Sequence, residues 1–201
     1  MADPRQDQSD LPSCLDQAVL DPLLTVEQLN ERCDAGRQER VRAICTSLRQ
    51  LPLLRERLGG QGGPKLIAAI GFPFGALPAE LRLAEATWAA AHGADELDVV
   101  PDFSALVEGD SSGFAEDLAA ITGLGLPVRV VLDMARLPED LLAIAVEASI
   151  DADAAGGTER QWLWTSLPGR AGGRPVRVVP RPLRHQGRRR DPSPRAGHGS
   201  A

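Results

Sequence analysis

Apolar and polar positions over the first 157 residues switch repeatedly between two periods. Short runs that are apolar on both faces, Lys65 to Phe72 (KLIAAIGF) foremost, predict buried strands; Pro73 stops that run. Further strands are expected at Val41 to Cys45, Glu96 to Val100 (ELDVV) and Val128 to Leu132 (VRVVL). Between them the spacing turns helical. Thr25-Val26-Glu27-Gln28 reads as a capping box opening a helix with Val26 and Leu29 inside it. Leu48 to Leu58 continues to the Gly59-Gly60 break, and Pro78 to His92 ends at Gly93, a residue suited to a C-terminal cap. Phe114 to Ile121 and Pro138 to Ser149 complete the helical stretches.

Strands apolar on both faces, separated by helices of about a dozen residues, imply a parallel sheet covered on both sides. About five βα units fit, as a doubly wound sheet or as part of a (β/α)8 TIM barrel. No G-x-G-x-x-G follows the first strand and no G-x-x-x-x-G-K-[ST] occurs, which favours the α/β barrel, here incomplete. The expected organisation is an unstructured segment over 1–11, a partial barrel over 12–157 and an Arg/Pro/Gly-rich tail without regular structure over 158–201.

Composition changes this picture at one point. A chain of 201 residues, 43% hydrophobic and 25% charged, suits one globular domain. No apolar run approaches the roughly 20 residues of a membrane span, and the polar start lacks the order of a signal peptide. Cys14, Cys33 and Cys45 have neither disulfide-framework nor zinc spacing, so a reducing cytoplasm is the expected compartment and no metal is expected. The charge, however, is split. Residues 1–157 hold 12 basic and 26 acidic side chains, net −14, whereas 158–201 hold ten arginines against Glu159 and Asp191, net +8. Lys65 is the one lysine in the chain.

Several strings, in order, resemble the deoxyribose-phosphate aldolase family. Ile70-Gly71-Phe72-Pro73-Phe74-Gly75 is similar to its IGFP-x-G signature, and Gly93-Ala94-Asp95-Glu96-Leu97-Asp98-Val99-Val100 to its GADE-[IVL]-D-[VM]-V signature. Leu15-Asp16-Gln17-Ala18-Val19-Leu20 stands where the family has [IL]-D-H-T-x-L, with Gln17 and Ala18 replacing His and Thr. Ala43-Ile44-Cys45 and Val128 to Asp133 resemble the second and fifth strands.

The resemblance implies a (β/α)8 barrel that splits 2-deoxyribose 5-phosphate into glyceraldehyde 3-phosphate and acetaldehyde without metal or organic cofactor. A lysine ending strand six forms a Schiff base whose iminium stabilises the carbanion. A second lysine, on strand seven, depresses the first one's pKa. An aspartate on strand four relays protons, and late glycine-rich backbone holds the phosphate. Carried onto this chain, Asp98 takes the relay position, while Asp16, Cys45 and Phe72 line the substrate pocket. Asp133 replaces the strand-five glutamate, and His92 ends a helix. The Schiff-base position falls at about Thr158, so the lysine is missing there. Lys65 precedes strand three at the N-terminal end, the face opposite a barrel's active site.

The tail admits a reading in which residues from about Gly156 come from a shifted frame of an aldolase gene. One base later, the single tryptophan codon turns Trp162 and Trp164 into glycine, and Thr158 to Thr165 can read LSGNGFGP. His185 to Ser200 can read IKAAGGIRHLEQAMDL, which restores a strand-seven lysine and an AGGIR turn. Leucine, not lysine, then occupies the Schiff-base position. Two other functions are compatible with the residues: a sugar-phosphate-binding pseudoenzyme, and nucleic-acid binding through the arginines. Nucleic acid is disfavoured because the body is acidic and the tail tryptophans lie far from Arg188-Arg189-Arg190. The sequence leaves the oligomeric state open.

Overall fold

The structure, a computed structural model, describes residues 11–60, 62–133, 137–153 and 163–164. After a 3-10 turn at Pro12–Cys14 come β1 (Asp16–Val19), α1 (Val26–Gln38), β2 (Ala43–Ser47), α2 (Leu51–Leu58), β3 (Lys65–Ile70) and α3 (Ala79–Ala91). They are followed by β4 (Glu96–Val99), α4 (Phe103–Val107), α5 (Ser111–Thr122), β5 (Val128–Val130), β6 (Leu132–Asp133), α6 (Glu139–Asp151) and β7 (Leu163–Trp164). Strands β1 to β5 form one parallel sheet in chain order, the arrangement of the first five strands of an α/β barrel.

Local chemistry explains where the helices begin and end. The capping box is present: Gln28 N–H donates to Thr25 Oγ1 at 3.2 Å, and Thr25 N–H to Gln28 Oε1 at 2.9 Å. His92 caps the end of α3, with Gly93 at φ +91 beyond it. Helix α2 starts later than its spacing predicts, at Leu51, because Ser47 to Gln50 form a turn closed by Gln50 N–H to the Ser47 carbonyl at 3.1 Å. Helix α4 was not anticipated. It is one short turn set by Asp102, whose side chain accepts from Ser104 N–H at 2.9 Å.

The sheet has two chemically distinct faces. Ile44, Leu66, Ala68, Ile70, Leu97, Val99, Val128 and Val130 point toward the helices and join the main core with Leu54, Ala86, Leu118 and Ile121. The alternate residues Ala43, Cys45, Ile67 and Ala69 pack together with Leu20 on the opposite face. On that second face β3 supplies small or unbranched-at-the-tip volume, and Glu96, Asp98 and Arg129 share it by the same alternation.

The expected unstructured start and nearly all of the basic tail lie outside the described residues. Leu163–Trp164 is the exception. It runs parallel to β6, pairing Leu132 with Leu163 and Asp133 with Trp164. A two-residue strand leaves no period for sequence reading to detect. Among the described residues no helix is long and apolar enough to cross a membrane.

Candidate active site

The inward face of β1 to β5 carries a chain of ion pairs. Arg42, just before β2, grips Asp16 with Nε and Nη2, both at 2.7 Å, and reaches both Glu96 oxygens through Nη1 at 2.9 Å. Lys65 Nζ, at the start of β3, donates to Glu96 Oε1 at 2.7 Å. Arg129 on β5 donates from Nη1 to Asp16 Oδ2 at 2.5 Å and from Nε to Asp98 Oδ1 at 2.6 Å. Cys45 Sγ–H points at Asp98 Oδ2 from 3.4 Å. Asp16, Glu96, Asp98 and Arg129 are all buried, so each charge depends on these partners.

Burial opposes the charge on Asp16, yet the hydrogen bond from Arg42 and the charge of Arg129 outweigh it and hold the carboxyl below its usual range. Glu96 behaves alike: desolvation is overcome by Lys65 and Arg42, and its pKa falls. Burial likewise works against the Arg129 guanidinium, but Asp98 and Asp16 raise its pKa. Asp16, Arg42, Lys65 and Glu96 sit at or near the starts of their strands, the end of a barrel associated with stability rather than chemistry. Asp98 lies one inward step further along, level with Ala69 and Arg129.

A second feature occupies the other end of the strands. A cleft of about 450 Å³ opens beyond β3, β4 and β5, lined by Phe72, Phe74, Val100, Phe103, Val107, Val131 and Leu137, with Asp133 as its acidic residue. The loop after β3 shapes it. Gly71 (φ +65) and Gly75 (φ +68) adopt left-handed backbone, and a Cβ on Gly75 would stand 1.9 Å from the Pro101 carbonyl oxygen. The glycines of the IGFP-x-G string are therefore demanded by close backbone approach. Arg82, fully buried on α3, holds this loop through the Gly75 and Leu77 carbonyls, each at 2.7 Å, and pairs with Asp117 of α5. Burial pushes the Asp117 carboxyl up despite Arg82. Glu85 accepts from Gly71 N–H at 2.8 Å.

The structure thus brings Asp16, Cys45 and Asp98 into one network and sets Phe72 apart in the cleft with Asp133. Thr158 lies outside the described residues. His92 is exposed, its ring stacked on Trp88 and its Nδ1 2.7 Å from the Trp88 carbonyl oxygen. Arg42, Glu96 and Arg129 were not singled out from the sequence. Their signal was available: charged side chains at the inward alternate positions of otherwise apolar runs, as in Val128-Arg129-Val130.

Parallel strands in chain order, helices between them, and charged groups gathered on one face match the first part of a (β/α)8 barrel. The comparisons with known proteins narrow that class. A relative named deoxyribose-phosphate aldolase from Rhodospirillum rubrum is 36% identical over 116 residues, 56% of this chain and 48% of the relative. Another of that name, from Thermococcus gammatolerans, is 31% identical over 150 residues, 72% of this chain and 67% of the relative. Among solved structures, QR15, an aldolase, superposes with TM-score 0.69 at 26% identity, over 78% of this chain and 68% of that one. Deoxyribose-phosphate aldolase from Aeropyrum pernix gives 0.63 at 28% identity, over 73% and 62%. No family model matches. The chain belongs to the deoxyribose-phosphate aldolase family, and it spans about half to two thirds of the length of these relatives.

Proposed function

We propose that this chain is a deoxyribose-phosphate aldolase-like protein that keeps the acidic part of the family's site and lacks its catalytic amine. The observation that carries the reading is the position of Lys65. It is the one lysine in the sequence, it starts β3, and its Nζ is tied to Glu96 at 2.7 Å. A Schiff base needs a neutral amine facing the reacting carbonyl. Lys65 instead is an ion-paired ammonium at the end of the strands opposite the cleft.

The remaining groups support ancestry without turnover. Asp98, in the proton-relay position, accepts from Arg129 and Cys45, and Asp16 is committed to Arg42 and Arg129. Both carboxylates are held as parts of a structural network. The cleft is apolar with Asp133 at its wall, so it offers a phosphate repulsion rather than a binding site. The sugar phosphate of the family reaction is accordingly not assigned to it. The shifted frame proposed for the tail leaves the amine at about Thr158 missing as well, since leucine then takes that position.

Cleavage of 2-deoxyribose 5-phosphate, followed by coupled reduction of glyceraldehyde 3-phosphate, tests the reading. No rate above the protein-free control is expected. A rate proportional to protein and abolished in Asp98→Asn would overturn it. Nucleotide sequencing across codons 150–201 tests the frame: an unbroken frame as printed removes that part of the proposal.

A further inference from the structure

Aromatic side chains are scarce in this chain, and most of its phenylalanines meet at one place. Of four phenylalanines and no tyrosine, Phe72, Phe74 and Phe103 line the cleft beyond the strand ends, while Phe114 lies in the core. Three of the apolar lining residues stand open to solvent: Phe72 by 38%, Phe74 by 66% and Val107 by 70%. Apolar surface left exposed around a concavity marks a binding site. Two of the rings are also held in place before anything binds. Phe72 and Phe74 sit on the loop after β3, whose Gly71 N–H donates to Glu85 and whose Gly75 and Leu77 carbonyls accept from buried Arg82.

We propose that this cleft binds a small organic monocation, an ammonium carried on an aromatic or alkyl group. Volume sets the size class, since about 450 Å³ falls within the range of small-molecule pockets. The lining sets the sign of the charge. Asp133 is the one charged lining residue among those described, and it is half-buried at the wall. An anion would be repelled by that carboxylate in an apolar setting, whereas an ammonium gains it as a counter-ion. The faces of the phenylalanine rings, negative in their quadrupole, attract the same cation. The net −14 of residues 1–157 adds a long-range field that gathers cations rather than anions. Asp16, Cys45 and Asp98 take no part, so the site stands whether or not the chain has lost the family's amine.

Isothermal titration calorimetry of the full chain with three probes of one skeleton, phenethylammonium, phenethyl alcohol and phenylacetate, tests the assignment. Phenethylammonium should bind with Kd on the order of 0.1 to 1 mM, as expected of so few atoms. Phenethyl alcohol should bind about fivefold or more weakly, and phenylacetate should show no binding up to about 10 mM. Phe74→Ala and Asp133→Asn should each weaken the ammonium about fivefold, whereas Asp133→Asn should leave the alcohol unchanged. Phe74 is exposed, and far-UV circular dichroism checks that both variants keep the fold. Absence of measurable phenethylammonium binding overturns the proposal. So does equal affinity for ammonium and alcohol, or binding indifferent to both substitutions, which would place the cation elsewhere on the acidic surface.

Discussion

Replacing Arg129 with methionine tests whether the inward ion network holds the sheet together. The guanidinium is 5% exposed and joins Asp98, 5% exposed, to Asp16, fully buried. Methionine keeps much of the volume but leaves both carboxylates without that cation. Removing one partner of a buried ion pair costs about 3 to 5 kcal/mol, because the remaining charge stays desolvated. With a urea slope of roughly 2 kcal/mol/M, the unfolding midpoint should fall by about 2 M. The deficit has a definite pH dependence. In the wild type the Asp16 carboxyl is held below its usual range, so its contribution is present above the unfolded value of about 3.9 and is lost as pH falls through the folded one. Without Arg129, burial favours protonation of Asp16, so the difference between variant and wild type is largest near neutrality and narrows toward pH about 4. Urea titration followed by circular dichroism at two pH values measures both effects. A loss under about 1 kcal/mol, or an equal loss at both pH values, would refute the reasoning.

Three further outcomes are expected. Arg82→Met should cost about 3 to 5 kcal/mol in the same assay, since it strips Asp117 and two loop carbonyls of a buried donor; a loss below about 1 kcal/mol contradicts that role. Gly75→Ala should abolish cooperative unfolding, because its Cβ would overlap the Pro101 carbonyl, whereas Gly59→Ala, also at positive φ but in open space, should cost only about 1 to 3 kcal/mol of backbone strain. Similar losses at the two glycines would show that strain in φ, not the close approach, sets the requirement. Lys65→Met should cost far less than Arg129→Met, about 1 kcal/mol or under, since Lys65 is 55% exposed and Glu96 keeps Arg42; a larger loss would make Lys65 a structural anchor.

Much of the fold could be read in the sequence because strands and helices announced themselves by period. β3, buried on both faces, and α3, closed by His92 and Gly93, are the clearest cases. The boundaries that escaped were set by single side-chain contacts without periodicity, such as the Asp102 cap that starts α4. The site divided in the same way. Asp16, Cys45 and Asp98 were accessible through family motifs, and the structure draws them together. Arg129 completes their network but carried no motif; only its place between Val128 and Val130 marked it. Phe72, grouped with the acids by resemblance, belongs to the cleft, because the loop after β3 turns at Gly71 and carries it past the strand end.

The central claim, family ancestry without the catalytic amine, meets its most direct test in reductive trapping. The full chain is incubated with 2-deoxyribose 5-phosphate and borohydride, then its intact mass and peptides are read. The account gives no adduct beyond that of the urea-unfolded chain, in which Lys65 is equally available. A substrate-derived adduct on Lys65 that forms faster in the folded chain would contradict it.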